Sequence, residues 1–240
     1  MATTLIQDLF ETIRKSFPES LPQDSWYIPS QASALLATDG GENFAALYKY
    51  AIKQLGPGSS SEARKNVSRR LREVIIKTWT LLGLPKVFPA YYSLASAEAP
   101  GDAAADFERS ERRANLHPDE VSARGQDWIE RELADDGEVV RKSLSTNPDL
   151  AWTMKFIQYG YFFADTSVLG TIENEMCILA ALMGQGAQIA TFVHMKSLRR
   201  LGASKSEAEA FQDVVVKVAV FQGKNTSSWH RFEEIEHLFE

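Results

Sequence analysis

The chain has 240 residues, 44% of them hydrophobic, with 26 Lys and Arg against 32 Asp and Glu, giving a formal net charge of −6 and a pI near 5.4. That length and apolar content suffice for a sizeable core and exclude global disorder. The acidic balance, with no basic block beyond 69–72 and 196–200, argues against a surface that tracks nucleic-acid phosphates. No apolar stretch is long enough to span a membrane. The opening segment, MATTLIQDLFETIRKSF, lacks the apolar core of a signal peptide, and the sole cysteine, Cys177, cannot form an intramolecular disulfide. A cytoplasmic protein with no nucleic-acid or membrane partner is expected.

Apolar residues recur at three- and four-residue spacing, and alternating runs bounded by hairpin turns are absent, so the fold is expected to be all-α. The pattern predicts helices over 3–16, 41–55, 63–82, 86–97, 118–136, 148–164, 172–183, 187–201, 205–222 and 229–238. Pro18 and Pro22 end the first, and GPGSSS at 56–61 is a connector offering Ser60 or Ser61 as the next N-cap. EAPGDAAAD at 98–106 divides the chain into halves, 1–97 and 107–240, expected to form one compact unit. His117, before Pro118, reads as helix-start chemistry. Most of the aromatic run YGYFF at 159–163, with Trp152 upstream, should be core, with the Tyr159 and Tyr161 hydroxyls as candidate ligand contacts. Gly202 should close one helix, and Ser204 to Glu207 has the spacing of a capping box for the next. His230 and His237 in WHRFEEIEHLFE are seven residues apart, unlike metal-binding helices, and suggest a solvated terminal helix.

The most informative pair is Glu175 and His194, nineteen residues apart across a Gly-Gln-Gly break. In an antiparallel hairpin of 173–183 and 187–201 they would stand roughly 13 Å and 12 Å from the turn, at the same height. A carboxylate facing an imidazole is minimal equipment for moving a proton near neutral pH. The ordinary readings are a capping carboxylate at a helix start and a hydrogen-bonded histidine on a face of small residues. The same layout recurs at 72–95, where Glu73 lies nineteen residues before Tyr92. This suggests a hairpin used twice, with tyrosine where the second copy has histidine.

The stretch from RRANLHPDEV at 112–121 through ENEMCILAAL, the glycine break, His194, LGASKSEAEA and VAVFQG at 218–223 resembles the carboxymuconolactone decarboxylase family. That family belongs to the alkylhydroperoxidase D-like superfamily, and the resemblance implies a helical bundle of hairpins assembled as a homo-oligomer. In the superfamily's peroxidase style, two cysteines stand where this chain has Ala187 and Ala190, so dithiol peroxide chemistry is not expected. The decarboxylase style also lacks the cysteine pair, and implies a small-molecule substrate, no organic cofactor and no metal. The expected function is thus a lyase or isomerase acting by proton transfer on a small conjugated organic acid or lactone. His194 and Glu175 would be catalytic, and Tyr159, Tyr161, Trp152, Ala187, Ala190 and Tyr92 would contact substrate. Two departures, KNTSSWH after VAVFQG and Tyr161 after Gly160, put the family's own substrate in doubt. The alternatives are a non-catalytic binding or assembly member, and residual peroxidase activity through Cys177.

Overall fold

The computed structural model describes residues 2–104 and 108–239. Among the described residues there are only helices and connections, so the fold is all-α. The helices are α1 (Ala2–Ser16), α2 (Tyr27–Pro29), α3 (Phe44–Gln54), α4 (Ser61–Leu82), α5 (Leu84–Ala97), α6 (Glu108–Ala114), α7 (Pro118–Leu133), α8 (Asp136–Ser143), α9 (Pro148–Trp152), α10 (Thr171–Gln185), α11 (Gln188–Arg200) and α12 (Lys205–Phe221). Two segments wind as π-helices, Ser30–Leu35 and Thr153–Phe163, the latter continuing α9.

α10 is the axis of the molecule. Its sequence ENEMCILAALM is apolar on every side in its central turns, as a helix enclosed by others requires, and Glu173 through Met183 are all buried. It packs against α4, α11, α12 and the π-segment Ser30–Leu35. α4–α5 and α10–α11 are both helical hairpins broken at a glycine with positive φ, 76° at Gly83 and 72° at Gly186. Only a residue without a Cβ adopts these angles at no cost. Ser60 caps α4, accepting the Ala63 N–H at 3.1 Å, and Ser204 with Glu207 forms a capping box on α12. His117 caps α7 through Nδ1.

The apolar interior has two parts. A large core joins α1 to α5 with α10 and α12. A smaller one collects Trp128, Tyr159, Phe163, Ile178 and Leu182, flanked by Ala187 and Ala190. The small core exists because α7 and the π-segment Thr153–Phe163 cross almost backbone to backbone. A Cβ on Gly160 would stand 2.5 Å from the Val121 carbonyl oxygen, and one on Gly125 would collide with the Lys155 carbonyl.

Buried charges tie the first half to the second. Arg70 on α4 pairs with Glu173, which also accepts from Ser25. Lys77 donates to the carbonyls of Phe162 and Asp165 and lies 3.7 Å from Glu73, which in turn meets Arg113 at 3.2 Å. Burial pulls the Lys77 ammonium down to about 8, and its two carbonyl partners tie α4 to the end of the π-segment. The connector after α5 is strapped to α4 by Glu98 on Arg72 and by Asp102 on Arg64 at 2.7 Å. Of the boundary read at 98–106, residues 105 and 106 lie outside the described residues.

Several boundaries differ from the sequence reading. The terminal helix expected over 229–238 is instead two 3-10 turns, Phe232–Glu234 and Glu236–Leu238. Phe232 and Ile235 are fully buried, and Glu236 is buried against Arg199, so this segment is anchored rather than solvated. The three-residue spacing of its two apolar anchors suits the eclipsed side chains of a 3-10 turn. α7 stops at Leu133, where Ala134 takes φ 45°, and the separate α8 follows. The helix expected at 41–55 opens with a 3-10 turn, Gly41–Asn43.

Candidate functional site

Three helices bring one polar cluster into the apolar interior. Glu175 projects from the second turn of α10, His194 from the middle of α11 and Glu132 from the last turn of α7. His194 Nδ1 lies 2.9 Å from Glu175 Oε1 and 2.8 Å from Glu132 Oε1. Both carboxylates are fully buried and the histidine is 8% exposed.

Local chemistry explains each placement. Capping at the start of α10 falls to Glu173, which accepts the Gly170 N–H at 3.0 Å and pairs with Arg70. Glu175, two residues on, faces a different side and is left for the interior. The end of α7 is clamped by α11. Ser197 Oγ donates to the Glu132 carbonyl at 2.9 Å, Arg200 Nη1 to the Leu133 carbonyl at 2.9 Å, and Asp136 just beyond holds Lys196 and Arg200 at 2.6 and 3.0 Å. Donors and cations at a helix C-terminus satisfy its last carbonyls and complement its dipole. The clamp fixes Glu132 against the helix that carries His194.

The electrostatics follow from burial and proximity. Burial alone would raise Glu132, but the positive His194 imidazolium outweighs it and holds this carboxyl below the usual range. Glu175 is pushed well above that range, first by burial and then by the negative charge of Glu132. His194 resists burial because Glu175 and Glu132 face it, and is pushed up to about 10. At neutral pH the imidazole is therefore a proton donor, held between the two carboxyls.

Of the residues singled out in the sequence, Tyr159 is brought into this neighbourhood. It is 4% exposed, set edge-on to Phe163 at 5.3 Å, and its phenol is raised well above the usual value by burial and by Glu132 and Glu175. Ala187 and Ala190 are half-buried against the same small core. Tyr161 is half-buried on the π-segment. Trp152 and Tyr92 are not gathered in. Trp152 is 53% exposed and stacked on Phe156, and Tyr92 is 64% exposed among Phe88 and Tyr91 on α5. Glu73, the first-half counterpart of Glu175, meets Lys77 and Arg113 instead of a histidine.

Glu132 was missed by sequence reasoning, although a signal existed. The buried stripe of α7 runs Val121, Gly125, Trp128, Glu132. An acidic residue thus stands where helical periodicity calls for an apolar one.

A cleft of about 510 Å³ opens between α7, α8 and the π-segment, lined by Ile129, Ala134, Val140, Arg141, Met154 and Lys155 among others. Ile129 and Met154 border both this cleft and the small core around the cluster. No helix of the described residues is long and apolar enough to cross a membrane.

No protein-family model and no solved structure matches this chain. It is similar to Peroxisomal protein 2 of Schizosaccharomyces pombe, at 22% identity over 209 residues that cover 87% of this chain and 92% of the relative.

Proposed function

We propose that the Glu132–His194–Glu175 cluster is the proton-handling centre of a lyase or isomerase acting on a small conjugated organic acid or lactone, like the carboxymuconolactone decarboxylases the sequence resembles. The observation that carries this reading is one imidazole nitrogen within 2.9 Å of two buried carboxylates from two other helices. Because Nδ1 is taken up by the carboxylates, Nε2–H is the group that donates to an enolate-like intermediate. Donation leaves a neutral imidazole whose Nδ1–H is held by Glu175. Tyr159, held neutral, is a further hydrogen-bond donor for developing negative charge. Replacing His194 by Gln is expected to lower turnover of a responsive lactone acid by about 10²–10⁴-fold, the usual contribution of a positioned acid. Retained turnover overturns the reading.

The alternative of a non-catalytic binding or assembly member draws on a different observation, the exposed Leu84, Phe88 and Tyr92 along α5. Light scattering tests the homo-oligomer it shares with the first reading, and only the first predicts turnover. For compartment, the name of the relative favours the peroxisome over the cytosol. A tagged chain that stays diffuse beside a peroxisomal marker would reject this.

A further inference from the structure

Apart from Glu132 and Glu175, the buried carboxylates among the described residues meet Lys or Arg. Glu73 and Asp165 meet Arg113, Asp102 meets Arg64, Glu173 meets Arg70 and Glu236 meets Arg199. Glu132 and Glu175, both fully buried, share no Lys or Arg among the described residues and have only the His194 ring between them. Nδ1 can carry one hydrogen, and its hydrogen bond goes to Glu175 Oε1. Glu132 Oε1 has only its 2.8 Å ion contact with Nδ1, while Oε2 of Glu132 and Oε2 of Glu175 are left buried without a hydrogen-bond partner, as is the indole Nε1 of Trp128. Carboxylate oxygens in that condition are costly, and a divalent cation is the species that satisfies several of them at once.

The geometry fits such an ion. Ligand atoms of all three residues lie within 4.8 Å of one another. The edges from Nδ1, 2.8 and 2.9 Å, are close to the roughly 3.0 Å between adjacent ligands of an octahedral shell with bonds of about 2.1 Å, and short of the roughly 3.4 Å of a tetrahedral one. We propose that Glu132, Glu175 and His194 contribute three ligands to a binding site for a divalent first-row transition metal, Mn²⁺ or Fe²⁺ by the mixed oxygen and imidazole donors. This departs from the metal-free expectation drawn from the sequence. Trp128 would support the ligating Glu132 from outside the coordination shell. The inference uses the residues of the proton-transfer reading but not its chemistry, since a metal and a proton on Nδ1 exclude each other.

The test reads binding, not turnover, so its outcome is separable from that of the lactone assay. The full chain, stripped with chelator, is dialysed against MnCl₂ and its metal content measured, and the bound Mn²⁺ is examined by pulsed electron paramagnetic resonance. One equivalent per chain is expected, with hyperfine coupling to a directly bound imidazole nitrogen. Glu132→Gln and His194→Gln should each weaken binding at least about tenfold, while His230→Asn, in the exposed His230–Glu234 pair, should leave it unchanged. The nitrogen coupling is read on the unaltered protein, so it stands even where a variant misfolds. Absence of stoichiometric binding, absence of the coupling, or binding lost only in His230→Asn overturns the proposal.

Discussion

Replacing Gly160 by Ala is the sharpest test of how the site is held. In a helix such a change ordinarily stabilises by about 1 kcal/mol, because glycine loses more backbone freedom on folding. Here the added methyl would lie 2.5 Å from the Val121 carbonyl oxygen and 2.6 Å from Val121 Cγ1. Reaching an ordinary contact of 3.4 Å requires α7 and the π-segment to separate by about 0.9 Å. A backbone carbonyl in the first turn of α7 cannot turn aside as a flexible side chain can. Overpacking of this severity costs about 2–3 kcal/mol, so after the propensity gain the variant should be about 1–2 kcal/mol less stable. For a chain of this length that is a fall in Tm of about 2–8 °C. Urea denaturation and thermal melts followed by circular dichroism measure both quantities. A variant as stable as the parent, or more so, refutes the backbone-to-backbone crossing.

Two further predictions concern groups away from the cluster. Burial raises the Asp165 carboxyl, but hydrogen bonds from Ser167 and the charges of Lys77 and Arg113 outweigh it and hold the group well below the usual range. A depressed folded-state value contributes stability that is fully present above about pH 4 and is lost as pH falls toward that value. Asp165→Asn should therefore destabilise strongly at pH 7 and less at pH 3, where part of that contribution is already gone, by urea midpoint, and an equal loss at both pH values contradicts the assignment. The Cys177 thiol is fully buried and pushed well above its ordinary value, chiefly by burial. It should resist a chromogenic disulfide reagent in native protein and react at once in urea. Rapid native reaction would reopen a thiol peroxidase.

What was legible in the sequence was local. Ser60, Ser204 with Glu207, His117 and the glycine break carry their information within four residues, because a cap or a left-handed turn is decided by neighbouring backbone groups. The facing of Glu175 and His194 was legible for the same reason, since a short hairpin converts spacing into height. Glu132 was harder, because its presence in the site depends on α7 docking across α11 through Ser197 and Arg200, contacts 65 to 68 residues apart in the chain. The π-helical winding of Thr153–Phe163 also escaped, as its apolar spacing reads equally well as an ordinary helix. Tyr92 misled: equal spacing placed it opposite Glu73 on paper, whereas Lys77 and Arg113 occupy that role and leave the ring in solvent.

The charges buried along α4 set a clock on synthesis. Arg70 waits for Glu173, 103 residues later, and Lys77 for the carbonyls of Phe162 and Asp165, 85 and 88 residues later. At the ribosome's pace of about 5–20 residues per second that interval is about 5–20 s. Throughout it the emerging amino-terminal helices carry an arginine and a lysine with only Asp24 and Glu73 of their partners already made. The burial of those two charges is therefore completed only when the second half supplies Glu173 and the carbonyls of Phe162 and Asp165.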